Sequence, residues 1–295
     1  MIALIDIGGT SIKYGMIDSY TEEYEQLGII DTNVYEPNFS MENRLDEVLQ
    51  KILTYNKISG IAISTAGIVD NESGTIIYAN KNIPNYKGTK LKEILENKYK
   101  VPVTIENDVN AALLGELNFG HFQDIHSAIM LTIGTGLGGA LYLNGRIYHG
   151  FSHSAGEVGY AIINDRNIED IASTTALVHN VKSRLNRKDI NGRWIFDQAI
   201  NQNNEICIEE INRMITSLVY LISNYVALLN PEVVILGGGV MEQTEYLRPL
   251  INKKFREINS NELVVGNTKI EFASLGNQAG LLGAYSHYKN KILSK

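Results

Sequence analysis

The stretch Thr104–Glu116, which reads TIENDVNAALLGE, places two acids and two amides at one point of the chain. Glu106, Asn107, Asp108 and Asn110 lie between an apolar segment and a run of small residues. A carboxylate at the end of a strand can accept a proton from a hydroxyl group, and a short polar side chain there can cap the next helix. Taken alone, the stretch favours Asp108 as a helix cap, with Asn107 or Asn110 able to share the capping, and leaves a role as proton acceptor open. For Glu106 it favours a structural hydrogen bond over a role as a second base.

A glycine turn near the N-terminus, in DIGGTSIK, has the composition of a phosphate-binding turn. Two adjacent glycines let backbone N–H groups approach a ligand closely, while a threonine adds a hydroxyl and a lysine adds a cation. Asp6 stands at the strand end, where a carboxylate can hold Mg²⁺ directly or through water. An ordinary tight hairpin is the alternative. The residues predicted to bind the nucleotide here are Ile5, Asp6, Ile7, Gly8, Gly9, Thr10, Ser11 and Lys13.

Two further glycine turns follow apolar strands. GTGLGG matches the dinucleotide pattern G-x-G-x-x-G, but that fold requires a helix directly after the turn, and the segment ALYLNGRI alternates like a strand. We therefore predict a second phosphate-binding hairpin and not an NAD site. The third turn, GGGV, is expected to contact the nucleoside end of ATP. The residues concerned are Gly134, Thr135 and Gly136 in the second turn and Gly237, Gly238 and Gly239 in the third.

Strand-like and helix-like segments alternate along the chain, which predicts the α/β class. Ser40 is the expected N-cap of a helix that ends near Leu53, and further helices are predicted over 168–185, 207–230 and 277–293. The segments Leu4–Asp18 and Met130–Asn144 both read as apolar strand, glycine turn and apolar strand. This internal repeat favours two related domains that face one another.

Composition narrows the class of protein. The 295 residues carry 44% hydrophobic residues and a net charge of −7, which argues against nucleic acid or an anionic membrane as the main partner. The single cysteine, Cys207, excludes a disulfide within the chain and is expected in the core. The N-terminus lacks a signal peptide pattern and no apolar stretch approaches a membrane span, so we expect a cytoplasmic protein. The histidines show no metal-binding spacing and are assigned to loops or the surface.

Five motifs together resemble the ROK family of sugar kinases and repressors, in its order and spacing, over nearly the whole chain: DIGGTSIKYG, ENDVNAALLGE, TIGTGLGGALYLNG, AGEVGY and PEVVILGGGV. The resemblance implies a two-domain α/β actin-like ATPase (ribonuclease H-like) fold, with ATP, Mg²⁺ and a sugar in an interdomain cleft. It implies one domain of residues 1–109 and 278–295, another of 110–277, and a homodimer, since dimers are common in the family.

The resemblance also implies roles for single residues. Asp108 falls on the family's catalytic base and Asn107 on its sugar-binding partner. Glu157 in AGEVGY and Glu169 in NIEDIAS match contacts to sugar hydroxyls, and NKNIPNYKG resembles the family's sugar loop. The expected substrate-binding residues are Gly67, Asn82, Asn107, Asp108, Glu157, Tyr160 and Glu169.

One departure from the family pattern bears on the substrate. Tyr160 stands where most members have a zinc-binding histidine, and no cysteine lies between Tyr160 and Glu169, so no zinc site is expected. Tyr160 either stacks on a sugar ring or simply packs. The zinc-less pattern resembles most the β-glucoside kinase branch, which phosphorylates the 6-hydroxyl of cellobiose or similar β-glucosides. N-acetylmannosamine kinases and glucokinases are alternatives, as are a non-enzymatic sugar-sensing regulator and an ATPase on the same fold.

Overall fold

The computed structural model describes residues 1–36, 38–79, 83–122, 124–259 and 266–294. Its strands are β1 (Ile2–Ile7), β2 (Ser11–Ile17), β3 (Tyr24–Asp31), β4 (Gly60–Thr65), β5 (Ile68–Asp70), β6 (Thr75–Tyr78), β7 (Val103–Asn107), β8 (Ser127–Ile133), β9 (Leu137–Leu143), β10 (Arg146–Ile147), β11 (Ile162–Ile163), β12 (Arg166–Asn167), β13 (Val233–Gly237) and β14 (Lys269–Phe272). Its α-helices are α1 (Met41–Leu53), α2 (Leu91–Tyr99), α3 (Asp108–Phe119), α4 (Glu169–Ala172), α5 (Thr174–Leu185), α6 (Gly192–Asn201), α7 (Glu205–Leu229), α8 (Thr244–Ile258) and α9 (Ala279–Tyr288).

The chain divides into two compact units, the first of which comprises Met1–Asp124, Gly150–Ser154 and Ser274–Lys295. The five-stranded sheet of this unit has the order β3-β2-β1-β4-β7. Strand β2 pairs antiparallel with β1 and with β3, whereas β4 pairs parallel with β1 and with β7. The carboxyl ends of β1, β4 and β7 therefore lie at one edge of the sheet.

The second unit comprises Ile125–His149 and Ala155–Ala273, and its five-stranded sheet has the order β10-β9-β8-β13-β14. Two antiparallel pairings are again followed by two parallel ones. The two sheets thus share one topology, and this confirms the repeat predicted from the strand–glycine–strand segments. Strand β9 begins directly after the second glycine turn, as expected, so the helix that a dinucleotide motif needs is not there.

Helix α3 belongs wholly to the first unit because it packs backbone to backbone on α9. A Cβ atom at Gly283 would overlap the carbonyl oxygen of Ala111. Glu116, which is fully buried, accepts a hydrogen bond of 2.9 Å from the Ser274 main-chain N–H. The boundary expected at 109/110 would cut through this helix, and the unit boundary instead follows α3.

Of two helix predictions from the sequence, the structure confirms one and corrects the other. Ser40 is the N-cap of α1, since its side chain accepts a hydrogen bond from the Asn43 N–H. The single helix expected over 168–185 is instead two, α4 and α5. Ser173 between them has extended backbone, and its side chain caps α5 by accepting a hydrogen bond from the Ala176 N–H. A serine that satisfies free N–H groups in this way favours a new helix start over continuation.

The closing helix is shorter and more deeply buried than the sequence suggests. A 3-10 turn over Gly276–Gln278 precedes α9, and a π-helical turn over Lys289–Leu293 follows it. Nearly all of α9 is buried, and His287 is only 6% exposed, so the loop or surface position predicted for the histidines is wrong here. The reason is that α9 packs on both the sheet and α3, which leaves it almost no solvent face.

Each unit has its own apolar core. Strands β8 and β13 and helix α7 supply much of the core of the second unit, and Cys207 lies fully buried in it, as predicted. Strands β1, β4 and β7 supply that of the first unit. Burial of each large aliphatic side chain contributes about 1.5–3 kcal/mol. No helix in the described ranges is both long and apolar enough to cross a membrane.

Candidate active site

Strand register brings the acidic residues of the first unit to one edge of its sheet. Asp6 of β1 is level with Ser64 of β4, and Ser64 is level with Glu106 of β7. Asn107 and Asp108 follow at the next two positions. The first glycine turn and the ENDVN stretch, about 100 residues apart in the chain, therefore end at the same edge, as parallel strands require.

Asp6 is oriented by two neighbouring side chains. Ser64 Oγ donates a 2.8 Å hydrogen bond to Asp6 Oδ1, and Lys13 Nζ lies 3.4 Å from Oδ2. A Cβ atom at Gly280 would lie 2.9 Å from Asp6 Cγ, so the glycine leaves room for the carboxylate. One oriented carboxylate suits Mg²⁺, which takes one or two protein oxygens and fills its other positions with water and phosphate. The donor set at Asp6 therefore fits the expected ion.

The first glycine turn is tight and anchored. The Gly8 N–H donates to the Ser11 carbonyl at 3.0 Å. Thr32, the residue directly after β3, holds the turn, because its hydroxyl donates to the Gly8 carbonyl at 2.7 Å and its N–H donates to the Thr10 carbonyl at 2.8 Å. No motif in the sequence marks Thr32 for this role, which depends on the pairing of β2 with β3.

The apolar and polar residues predicted to bind the nucleotide differ in the burial of their side chains. The side chains of Ile5 and Ile7 are fully buried in the core of the first unit, so only their main chain can face a ligand. Thr10 is exposed and Lys13 is partly exposed. The polar half of the set is therefore the half that a phosphate can reach.

Asn107 is the N-cap of α3, and Asp108 is the first residue of that helix. Asn107 Oδ1 accepts hydrogen bonds from the Val109 N–H (2.9 Å) and the Asn110 N–H (3.0 Å). Its Nδ2 donates to the Gly67 carbonyl and to Asp108 Oδ1, both at 3.0 Å. Asp108 Oδ1 also accepts from the Val109 N–H at 2.9 Å. Capping thus falls mainly on Asn107, one of the predicted alternatives, and the helix dipole stabilises the Asp108 carboxylate.

Gly67 is required by local geometry. Its φ is +107°, and a Cβ atom would lie 2.5 Å from the Tyr78 carbonyl oxygen. A larger residue would displace the loop whose carbonyl accepts from Asn107. Asn82, the other residue expected in this region, lies outside the described residues.

Glu106 makes the structural hydrogen bonds predicted for it. It is 1% exposed, and its Oε1 accepts from the Asn107 N–H at 2.8 Å and from Asn110 Nδ2 at 3.0 Å. A side chain with these contacts supports the junction between β7 and α3.

In the second unit, the start of α5 anchors the second glycine turn. The turn closes with a 3.0 Å hydrogen bond from the Gly134 N–H to the Gly136 carbonyl. The Thr174 N–H donates to the Gly134 carbonyl at 2.9 Å, and the Thr175 hydroxyl donates to the Thr135 carbonyl at 2.6 Å. Sequence reasoning missed both threonines because it placed them inside one long helix.

Glu169 lies against the second glycine turn. Its Oε2 accepts a 2.9 Å hydrogen bond from the Leu137 N–H, and a Cβ atom at Gly136 would overlap that oxygen. The pKa of Glu157 is raised, first by desolvation of its carboxylate and second by the negative charge of Glu169. Tyr160 is 63% exposed. Glu157, Tyr160 and Glu169 thus belong to one region, within 13 residues of chain.

A cavity of about 970 Å³ opens beside the second and third glycine turns. Gly134 and Gly239 both line it, and a Cβ atom at either would enter open space, so a side chain would fill part of the cavity. Gly238 has φ +90°, and a Cβ there would overlap the Ile133 carbonyl oxygen, which holds the third turn against β8. A cavity of this size suits a nucleotide. Polar residues from α5, α6 and the turn after β13 also line it: Thr174, His179, Lys182, Arg193, Glu242 and Gln243.

The raised pKa of Glu157 leads to a prediction about pH. Because a neighbouring negative charge disfavours ionisation, replacing Glu169 with Gln is expected to lower the pKa of Glu157 toward its ordinary value. Carbon-13 NMR titration of the Glu157 carboxyl in both proteins measures this. In the wild type the ionised form is lost as pH falls through the raised pKa, and in the variant it persists to lower pH. An unchanged Glu157 titration in the variant would show that Glu169 exerts no charge effect there.

Comparison with known proteins supplies the family. The ROK family profile matches residues 2–291. An uncharacterized protein of Clostridium perfringens is 46% identical over 99% of both chains, and a beta-glucoside kinase of Listeria innocua is 31% identical over 97% of both.

Among the described residues, no group of three or more His, Cys, Asp and Glu is arranged to hold a metal ion.

Solved structures agree with the sequence match. A ROK family protein from Streptococcus pneumoniae in complex with sucrose superposes with a TM-score of 0.87 at 30% identity, over 100% of this chain and 99% of that one. A ROK family glucokinase from Streptomyces griseus in complex with glucose and AMPPNP gives 0.80 at 27% identity, over 96% and 97%. The fold is the α/β actin-like ATPase fold of these proteins, and the chain belongs to the ROK family.

Proposed function

We propose that the protein is an ATP-dependent sugar kinase that transfers the γ-phosphoryl group to the 6-hydroxyl of a β-glucoside such as cellobiose. The observation that carries this proposal is the position of Asn107 and Asp108 at the sheet edge where Asp6 and the first glycine turn also end. Phosphoryl transfer to a hydroxyl group needs a proton acceptor and a phosphate-binding turn, because catalysis consists mainly of positioning and charge stabilisation.

The nucleotide would be bound by the glycine turns. The polar residues of the first turn, Thr10 and Lys13, offer a hydroxyl and a cation to phosphate oxygens. The cavity beside Gly134 and Gly239 has the size for the nucleoside. The AMPPNP complex of the Streptomyces griseus glucokinase supports ATP as the donor. Mg²⁺, when held by Asp6, supplies positive charge to the phosphate oxygens.

In the proposed reaction Asp108 accepts the proton of the sugar 6-hydroxyl as its oxygen attacks the γ-phosphorus. The new O6–P bond forms while the bond from that phosphorus to the ADP oxygen breaks, and ADP leaves. Asn107, Glu157 and Glu169 would hold the other sugar hydroxyls, and Lys13 would offset phosphate charge. A base placed in this way contributes about 10²–10⁴-fold in rate.

A β-glucoside is the preferred acceptor for two reasons. The Listeria innocua relative at 31% identity is a beta-glucoside kinase. The Streptococcus pneumoniae structure holds sucrose, a disaccharide whose glucose is α-linked, so it supports space for a second ring but not the β linkage. Tyr160 is 63% exposed and offers a flat apolar face with one hydroxyl donor, which suits a second sugar ring. N-acetylmannosamine kinase and glucokinase are the alternative activities, and a non-catalytic sugar-sensing regulator is the alternative class.

A coupled ADP-release assay with a sugar panel tests the proposal. We expect cellobiose and other β-glucosides to give a higher kcat/KM than glucose or N-acetylmannosamine, since a second ring gains the contact with Tyr160. Replacing Tyr160 with Ala should reduce this preference and leave turnover of glucose nearly unchanged. Glucose or N-acetylmannosamine far ahead of every β-glucoside would exclude the proposed substrate class, while sugar-independent ATP hydrolysis would favour an ATPase and no ATP consumption would favour a regulator.

A further inference from the structure

A buried pair of Glu106 and His287 adjoins the junction that carries Asn107 and Asp108. Glu106 is 1% exposed and His287 is 6% exposed. His287 Nδ1 lies 3.4 Å from Glu106 Oε2, while Glu106 Oε1 accepts from the Asn107 N–H at 2.8 Å. One buried carboxylate therefore contacts the imidazole through one oxygen and the candidate catalytic junction through the other.

Helix α9 brings His287 to this place by antiparallel packing on α3. A Cβ atom at Gly115 would overlap the Ala279 carbonyl oxygen, and one at Gly283 would overlap the Ala111 carbonyl oxygen. Gly283 lies four residues after Ala279 on α9, and its partner Ala111 lies four residues before Gly115 on α3. The two helices therefore run antiparallel, and His287, four residues after Gly283, lies beside the start of α3. Because the two backbones touch, α9 has little room to slide and the imidazole has a fixed position.

The burial of Glu106 makes these contacts necessary. A carboxylate removed from water is strongly destabilised unless it is paired and hydrogen-bonded. Asn110 Nδ2 lies 3.0 Å from Glu106 Oε1, and Asn71 Nδ2 lies 3.5 Å from Oε2. We expect loss of the imidazole contact to let the carboxylate reorient and to shift the Asn107 main chain that it holds. A misplacement of about 1 Å in a catalytic group can cost about 10² in rate.

We propose that Glu106 and His287 are positioning residues, through which α9 fixes the orientation of Asn107 and Asp108. The inference rests on the proposed kinase function, in which Asp108 accepts the proton of the sugar. Neither residue of the pair touches the substrate or transfers a proton in the reaction.

Two substitutions of His287 and one control test the inference by steady-state kinetics. His287→Leu removes the imidazole nitrogen that lies 3.4 Å from Glu106 Oε2, whereas His287→Asn keeps a side-chain nitrogen near the position of Nδ1. We expect His287→Leu to lower kcat by about tenfold or more, with the KM for ATP nearly unchanged, and His287→Asn to recover most of that loss. The control Ser286→Ala, on the same helix as His287, removes hydrogen bonds to the Leu114 carbonyl of α3 and the Leu282 carbonyl of α9, and should keep the wild-type kcat.

Amide hydrogen exchange separates local positioning from general loosening. In His287→Leu we expect faster exchange over residues 105–111 and wild-type exchange in the C-terminal half of α3. Wild-type kcat in His287→Leu would overturn the positioning role and leave the proposed function standing. Uniformly faster exchange of α3 and α9, with no rescue by His287→Asn, would also overturn it. Absence of sugar-dependent ADP release from the wild type would overturn the proposed function and this inference together.

Discussion

Replacing Asp108 with Asn is expected to lower sugar-dependent ADP release by about 10²–10⁴-fold, the contribution typical of a general base. An amide has nearly the shape of the carboxylate but does not accept a proton from the sugar hydroxyl at neutral pH. The fold should survive, because Asn at this position can still accept from the Val109 N–H and Asn107 provides the cap. The lost helix-dipole interaction is worth about 0.3–1 kcal/mol. Single-turnover and steady-state kinetics measure the first effect, and thermal unfolding measures the second.

Asp197→Asn is a matched control for this experiment. Asp197 is an exposed acid on α6 whose Oδ1 accepts a 2.8 Å hydrogen bond from Asn201 Nδ2. The same change of charge there should leave kcat unaltered. Near-normal turnover in Asp108→Asn would remove Asp108 from the role of base.

Replacing Gly283 with Ala should destabilise the protein by about 3 kcal/mol, the upper part of the range for overpacking a core. Glycine to alanine inside a helix normally stabilises by about 1 kcal/mol. Here the new Cβ would overlap the Ala111 carbonyl oxygen, and neither backbone can yield without separating α9 from α3. The steric cost therefore exceeds the gain in helix propensity. Chemical unfolding followed by circular dichroism measures the change.

Ser286→Ala provides the comparison on the same helix, because it adds no atom to the contact between α9 and α3. It should cost about 1 kcal/mol, as the loss of a weak buried hydrogen bond does. An unfolding free energy of Gly283→Ala equal to or above that of the wild type would contradict the close backbone packing described for these helices.

Much of the fold could be predicted from local patterns. Alternation of apolar strands with glycine turns gave the α/β class and the repeated hairpin, since strand ends and tight turns are determined by neighbouring residues. The order ENDVN identified a helix start, but the choice of Asn107 over Asp108 as the cap depends on φ and ψ at one residue. The break at Ser173 was missed because serine is compatible with both a helix interior and a cap.

Contacts between distant parts of the chain could not be predicted. Thr32 anchors the first glycine turn from the end of β3, and His287 meets Glu106 from a helix about 180 residues later. Neither position shows a spacing that marks it, because the contact depends on how elements pack and not on the local sequence. His287 looked like a surface residue for this reason, although the helix that carries it is among the most buried of those described.

The chemical identity of the product tests the central claim most directly. Wild-type protein incubated with ATP, Mg²⁺ and cellobiose is analysed by phosphorus-31 NMR with proton coupling. The proposed function predicts a new phosphate monoester whose phosphorus couples to the two protons on C6, together with an equal amount of ADP. Inorganic phosphate and ADP without any sugar phosphate, or a monoester on another carbon, would contradict it.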